Sequence, residues 1–269
     1  MRISISKPLR PLLPGRFFFC LILDSPGALQ YDMRMTEKQP TAKVAEIFSS
    51  IQGEGRWVGS KQVFVRLAGC NLDCAYCDTK IDTSTEMTAD QVANTVKSLL
   101  EPEHFHRSIS LTGGEPLLAG AKFINSLAQT AAETGLPLHL ETNGTLPGTL
   151  RQVADSLRYI SMDIKIQSAT GEPPQYDANH RFLEIAAAKE CCVKVVFTPE
   201  CKPDEIEAAA GIVAGVDPAI PFILQPATPR GRVKNFPSPE IMLSLYDIAA
   251  GVLKDVRIIP QIHRFLGLR

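Results

Sequence analysis

From Thr41 onward the hydrophobic pattern switches between two periods. Short apolar or β-branched runs alternate with longer amphipathic stretches, with Gly, Pro, Asn and Asp between them. The runs predict strands over 43–48, 62–67, 108–112, 138–142, 159–163, 193–198, 222–225 and 256–259. The 3.6-residue stretches predict helices over 88–100, 119–134, 147–156, 176–189, 203–214 and 239–253. Alternation of this kind implies α/β architecture, a parallel sheet covered by helices. About six βα units are too few to close an eight-stranded barrel, so a partial, open βα barrel is expected.

In such folds ligands collect where strand C-termini meet the following loops. Polar residues stand at four of those ends: Thr112-Gly113-Gly114-Glu115, Glu141-Thr142-Asn143-Gly144, Asp163-Ile164-Lys165 and Gln225-Pro226. Core packing accounts for apolar strand interiors. It does not account for acid, amide and glycine at successive ends, which together predict one shared site.

Composition narrows the class. The 269 residues are 45% hydrophobic and 21% charged, which excludes a disordered chain, a collagen and a coiled coil. A formal net charge of −1 provides no field to hold a polyanion, so nucleic acid is not an expected direct partner. The start of the chain differs from the rest. Before Asp24 its only charges are Arg2, Lys7, Arg10 and Arg16, and 17–23 is an unbroken apolar run. This resembles a short secretory signal, but the run is too short to span a bilayer, and export would expose a cysteine-rich metal site to oxidation. Residues 1–40 are therefore read as a disordered extension or a misassigned start. Residues 41–269 are read as one mildly acidic domain ending in a strand, cytoplasmic and with no membrane partner.

Seven cysteines are too few for a disulfide scaffold, and Cys70, Cys74 and Cys77 place three thiolates within eight residues directly after a predicted strand. Structural zinc wants four protein ligands; His104 and His106 lie beyond a predicted helix, and Cys191 and Cys192 are adjacent on a strand edge. A redox dithiol of Cys74 and Cys77 leaves Cys70 unexplained. An iron–sulfur cluster on three thiolates uses all of them and leaves one iron open. Cys20, Cys191, Cys192 and Cys201 show no ligand spacing and are expected to be ordinary thiols.

Cys-x3-Cys-x2-Cys with Tyr76 before the last cysteine, followed by Gly113-Gly114-Glu115-Pro116 at a strand end, resembles the radical S-adenosylmethionine (SAM) superfamily. That resemblance implies a 4Fe-4S cluster on Cys70, Cys74 and Cys77. Its fourth iron would chelate the amino and carboxylate groups of SAM, and electron transfer would cleave the sulfonium to methionine and a 5′-deoxyadenosyl radical. Gly113 and Gly114 would let the backbone approach a ligand, and Glu115 or a nearby carbonyl would accept from an ammonium group. On their own these residues would make a tight β-to-α turn with Glu115 solvated.

Two further stretches, Glu46-Ile-Phe-Ser-Ser-Ile-Gln-Gly-Glu-Gly55 and Phe64-Val-Arg-Leu-Ala-Gly-Cys70, are similar to the 7-carboxy-7-deazaguanine synthase family. Asp78-Thr79, Glu141-Thr-Asn-Gly144, Leu224-Gln-Pro226 and Ile259-Pro-Gln-Ile-His263 extend the similarity, which covers about 45–269. It implies a lyase that rearranges 6-carboxy-5,6,7,8-tetrahydropterin to 7-carboxy-7-deazaguanine with loss of ammonia, early in queuosine biosynthesis. A reductant such as flavodoxin or ferredoxin and a homodimer are implied as well.

Carried onto this chain, the family pattern gives Ile51, Gln52, Gly53, Glu54, Arg66 and Thr112 to the substrate and Thr79 to Mg2+, an ion shared with the substrate carboxylate. Tyr76, Cys77 and Asp78 by their backbone, then Gly114, Glu115, Ser161, Asp163, Lys165 and Gln225, go to SAM. Arg66 suits a bidentate carboxylate, with a surface salt bridge as its alternative. Gln52 and Glu54 suit the amide and amino edge of a pterin, or are turn residues. A hydroxyl such as that of Thr79 is a hard oxygen ligand of the kind magnesium takes. Ser161-Met-Asp-Ile-Lys165 departs from the Ser-Pro-Lys form of some members, and His263, on an expected C-terminal strand, is read as a structural histidine, with reaching the site as its alternative. Another radical SAM enzyme, such as a glycyl-radical-activating enzyme, shares the cysteine spacing. A zinc-stabilised binding protein is the alternative from a different class.

Overall fold

The computed structural model describes residues 39–77, 81, 83–100 and 105–268. The expectation for the leader, and those for Asp78, Thr79 and His104, lie outside the described residues. In chain order the elements are β1 Thr41–Ile51, β2 Lys61–Leu67, β3 Thr85–Thr88, α1 Ala89–Leu100, β4 Ile109–Gly113, α2 Ala121–Ala131, β5 Leu138–Thr142, α3 Pro147–Val153 and β6 Leu157–Asp163. Then follow α4 Gln167–Thr170, α5 Tyr176–Ala186, β7 Glu190–Phe197, α6 Pro203–Val216, β8 Phe222–Pro226, α7 Pro239–Ala250, β9 Val256–Ile258 and α8 Ile262–Leu266.

One sheet takes the described strands in the order β3-β1-β2-β4-β5-β6-β7-β8-β9. β1 runs antiparallel to β2 and β3. Every later pairing is parallel, with a helix in each crossover. β3 and β9 are the two edges, so the sheet stays open as a partial βα barrel. Eight strands and six helices were expected, and all are present within a few residues of the predicted bounds. β3 was not anticipated: Thr85-Glu-Met-Thr88 is short and polar, and its extended form depends on β1, where Thr88 faces Thr41 and the Thr41 hydroxyl donates to Glu86 Oε1 at 2.5 Å. The chain end also differs. β9 stops before Pro260, which has no N–H for a ladder, and His263 stands on helix α8 rather than on a strand.

Period-two alternation sorts each strand's side chains between two environments. Val63, Val65 and Leu67 of β2, Ile109 and Leu111 of β4, Leu138 and Leu140 of β5, Ile160 and Met162 of β6, and Val193, Val195 and Phe197 of β7 belong to one buried cluster with the helices. Helix α1 meets it with Val92, Ala93, Val96 and Leu100, and α2 with Phe123, Ile124, Leu127 and Ala131, each spaced three and four apart. Every such side chain contributes about 1.5–3 kcal/mol of burial, so this face stabilises the fold. The other face of the same strands carries Gln62, Arg66, Ser110, Thr112, His139, Glu141, Ser161, Asp163, Lys194 and Gln225. Its lower end is filled by Trp57, Tyr159, Cys192 and Ile223, with Trp57 packed on Tyr159 at 5.0 Å and edge-on to His139 at 4.6 Å between ring centroids. The C-terminal strand ends above that plug line a cleft of about 880 Å³.

Candidate functional site

The cysteine loop leaves β2 and crosses the mouth of this cleft. Asn71 anchors it to the β5 turn, accepting from Asn143 Nδ2 and donating to the Thr145 hydroxyl, both at 2.9 Å. Ala75 N–H donates to Thr170 O at 2.8 Å, and Asp73 N–H to Glu172 Oε1 at 3.3 Å. Cys70 and Cys77 are exposed, Cys74 is half-buried, and all three line the cleft. Burial pushes the Cys74 thiol up, Lys165 draws it down, and Cys70 and Cys77 act on it from nearby. Among the described residues no three or more His, Cys, Asp or Glu side chains gather around a single-ion position. A cluster makes no such demand, because each thiolate binds its own iron.

The Gly-Gly-Glu segment has a different role from the one expected of it. Gly113 has φ +120°, and a Cβ there would overlap the Leu67 carbonyl; a Cβ on Gly114 would overlap the carbonyl of Gly69. Gly114 N–H donates to Leu67 O at 3.0 Å and Glu115 N–H to Gly69 O at 2.8 Å. The close approach is therefore made by the chain's own backbone, which sets the strand end beside the cysteine loop. Glu115 is buried away from the cleft. Its carboxylate accepts from Leu117 N–H at 3.0 Å, the Thr142 hydroxyl at 2.9 Å and Asn143 N–H at 2.8 Å. Burial pushes its pKa up, partly offset by these donors. The ammonium-accepting role expected of Glu115 is thus replaced by a tie between the ends of β4 and β5, and the solvated alternative is also excluded.

Ile51, Gln52, Gly53 and Glu54 line the cleft, but the two polar side chains are already engaged. Gln52 is buried; its Nε2 donates to Glu141 Oε1 at 2.7 Å and its Oε1 accepts from Glu54 N–H at 3.1 Å. Glu54 is ion-paired with Lys194 and accepts from Gln261 Nε2 at 2.7 Å. Burial works against its charge, yet Lys194 and Gln261 prevail and hold its pKa down at about 2. Thr112 donates to Glu141 Oε2 at 3.0 Å. Gln52 and Thr112 therefore both donate to Glu141 and position it.

Arg66 keeps an unspent donor. Nη1 pairs with Glu46 Oε1 at 2.6 Å and the guanidinium lies 5.2 Å from the Phe48 ring centroid, while Nε is buried with no hydrogen-bond partner among the described residues. Gln225 Oε1 is likewise buried and unpartnered on the cleft wall. Between them runs a chain of charges: Lys194 lies 3.4 Å from Asp163 Oδ1, and Lys165 Nζ donates to Asp163 Oδ2 at 2.7 Å and to Tyr76 Oη at 2.9 Å. Burial opposes the charge on Lys165 and Lys194, but Asp163 beside each holds both above the usual lysine range. Burial pushes the Tyr76 hydroxyl up to about 12. Ser161 lies deeper, bonded to His139 Nε2 at 2.9 Å.

Glu141 was placed at the shared site without a role of its own, and Lys194 was missed as a site residue. The available signal was a single cation in the apolar run Val193–Phe197, two residues from Cys192 and so on the face opposite Val193. His263 packs on the 51–54 loop: a Cβ on Gly53 would overlap its ring, and Ile262 N–H donates to Gly53 O at 3.0 Å.

The donor set fits the cofactors implied by the motif. Three soft thiolates face the cleft, and a buried acceptor and a buried donor remain to be satisfied within it. Residues 65–195 match the radical SAM superfamily. The chain is 39% identical to the 7-carboxy-7-deazaguanine synthase of Geobacter sulfurreducens, over 85% of this chain and 98% of that protein. It is 36% identical to the enzyme of the same name from Methanothermobacter thermautotrophicus, again over 85% and 98%. The crystal structure of QueE from Escherichia coli has the same fold, with a TM-score of 0.57 and 20% identity, covering 83% of this chain and 95% of that one.

Proposed function

The chain belongs to the radical SAM superfamily and, within it, to the 7-carboxy-7-deazaguanine synthase family, and from that membership we propose the substrate and the roles of its residues. The substrate is 6-carboxy-5,6,7,8-tetrahydropterin and the product 7-carboxy-7-deazaguanine, with nitrogen lost as ammonia. A reduced 4Fe-4S cluster with SAM supplies a 5′-deoxyadenosyl radical when bound. Cys70, Cys74 and Cys77 hold the cluster. Gly114 and the backbone of Tyr76, Cys77 and Asp78 hold SAM with Ser161, Asp163, Lys165 and Gln225, where Gln225 Oε1 accepts a donor from the ligand.

The observation that carries the substrate assignment is Arg66 Nε, a buried cationic donor left unpaired in the same cleft as the three thiols. An anion of fixed geometry satisfies it, as a carboxylate does. A polypeptide substrate, as for a glycyl-radical-activating enzyme, supplies no such group at a set depth. The loop 51–54 forms the wall against which the heterocycle lies, fixed by Lys194, Gln261 and Glu141 rather than by solvent. Thr79 takes Mg2+ together with the substrate carboxylate. The enzyme works as a cytoplasmic homodimer reduced by a flavodoxin or ferredoxin. No described helix is long and apolar enough to cross a membrane.

Anaerobic incubation of the reconstituted protein with the carboxytetrahydropterin, SAM, dithionite and Mg2+ tests this directly. Mass analysis is expected to find 7-carboxy-7-deazaguanine, with loss of rate on chelation of Mg2+. SAM cleavage without that product overturns the substrate assignment.

A further inference from the structure

Beneath the cleft a line of buried amides, hydroxyls and one imidazole runs from β5 through β2 to β7, and its proton positions are fixed from one end. At one end, Glu141 can only accept and the Glu54 N–H can only donate. Gln52 lies between them, so its Nε2 faces Glu141 and its Oε1 faces Glu54. The same Nε2 lies 3.3 Å from Gln62, which must therefore present its oxygen. Ser60 gives the same orientation independently: its hydroxyl donates to Trp57 O at 2.7 Å, so it accepts from Gln62 Nε2 at 3.4 Å.

His139 Nδ1 lies 3.3 Å from that Gln62 oxygen and must donate to it. The ring is fully buried, edge-on to Trp57 and Tyr159. Burial and the Arg107 cation together hold its pKa down at about 3. Arg107 is the charged group that acts on the ring, and Glu141, two residues along the same strand face, is engaged by Gln52, Ser110 and Thr112. With one proton, on Nδ1, the Nε2 lone pair accepts the Ser161 hydroxyl hydrogen at 2.9 Å. Cys192 Sγ, 3.5 Å from Ser161 Oγ, then donates its S–H. The Ser161 oxygen then has no hydrogen left to offer the cleft and one lone pair free to accept.

We propose that His139 is a positioning residue: held as the Nδ1–H tautomer, it makes Ser161 an acceptor-only contact for a hydroxyl or ammonium donor of SAM and braces Gln52 of the substrate loop through Gln62. This rests on the assignment of SAM to Ser161 and of substrate to the 51–54 loop. One imidazole thereby ties the two binding regions together through opposite ring nitrogens.

Two substitutions separate those nitrogens. His139→Gln places an amide oxygen near Nε2 and keeps an acceptor for Ser161; His139→Asn places an amide nitrogen near Nδ1 and keeps a donor for Gln62. KM for SAM is expected to rise about tenfold in H139N and less in H139Q, with the order reversed for the pterin. Equal effects of the two variants on both KM values overturn the proposal. Nitrogen-15 spectra of the full-length wild-type protein provide a second readout that needs no variant. One of the 5 histidines is expected to show the neutral Nδ1–H pattern, unchanged from about pH 5 to 8 and lost in H139Q. An Nε2–H pattern, or titration in that range, overturns the tautomer. Failure of pterin turnover alone removes the substrate assignment and leaves the tautomer and the SAM readout intact.

Discussion

Arg66 Nη1 lies 2.6 Å from Glu46 Oε1, and the two residues are register partners across β1 and β2. The pair is half-buried at the cleft wall, and Phe48, stacked on Phe64 at 5.2 Å, supports the guanidinium from beneath. Of the two sequence readings of Arg66, the ion pair is present, and the carboxylate contact is the role proposed for its Nε.

Arg66→Ala is expected to raise the pterin KM by at least tenfold, the worth of one charge-assisted hydrogen bond of about 1.5–3 kcal/mol. Iron and sulfide content should stay at the wild-type level. Arg66→Lys is not expected to restore binding, because an ammonium lacks the planar fork. Loss of the cluster in R66A would show that the side chain supports the loop instead.

Lys194 holds two carboxylates, Glu54 by direct ion pair and Asp163 at 3.4 Å. Lys194→Met leaves both without this cation and should cost about 3–5 kcal/mol in a denaturant titration. Adding Glu54→Gln to that variant should recover part of the loss. A double variant no more stable than the single one would mean the pair contributes little.

Acid stability follows chiefly from two largely buried groups whose folded pKa values lie below their unfolded ones; the lowered carboxyls of Glu133, Glu205 and Glu240 are more exposed and screened by solvent. His139, at about 3 against an ordinary 6.5, binds its proton more readily when unfolded, so stability falls as pH drops from 6.5 towards 3. Glu54, at about 2 against 4.5, adds a loss between 4.5 and 2. Glu115, pushed up by burial, acts in the opposite sense. Thermal midpoints across this range should fall steadily in the wild type. The decline between pH 6.5 and 4.5 should be shallower in H139Q; parallel curves would mean that His139 does not carry it.

Much of the architecture was legible because each strand announces itself by an apolar run and each crossover by a 3.6-residue period. The polar strand ends located the cleft for the same reason. What could not be read was direction within it. Glu115 and Glu141 look alike in the sequence, each an acid at a strand end. Glu115 lies beyond the last lumen-facing position and folds under the turn, whereas Glu141 shares a face with His139. Gln52 and Glu54 read from the sequence either as polar edges for a heterocycle or as turn residues, with no sign of the partners that hold them. Gln52 is held by Glu141, 89 residues away, and Glu54 by Gln261 and Lys194, 207 and 140 residues away, distances no local pattern spans. β3 escaped for the same reason, since it is extended only because β1 is beside it.

Glu115→Ala should lower stability by about 2–4 kcal/mol, because three buried donors lose their acceptor. KM for SAM in the folded fraction should move little. A large rise in KM at unchanged stability would return Glu115 to the SAM site. Gly114→Ala is expected to reduce cluster content, since its Cβ would displace Gly69 next to Cys70. Wild-type iron content in G114A would contradict that account.

The central claim is that one cleft brings the three-thiol loop and the carboxylate-bearing carbon of the pterin together. Its most direct measurement uses pterin carrying deuterium at that carbon, in a single anaerobic turnover with SAM and reductant. Deuterium is predicted in the 5′-deoxyadenosyl group, recovered as 5′-deoxyadenosine or SAM, alongside 7-carboxy-7-deazaguanine. An unlabelled 5′-deoxyadenosyl group, with all the deuterium still on unreacted pterin, would contradict it.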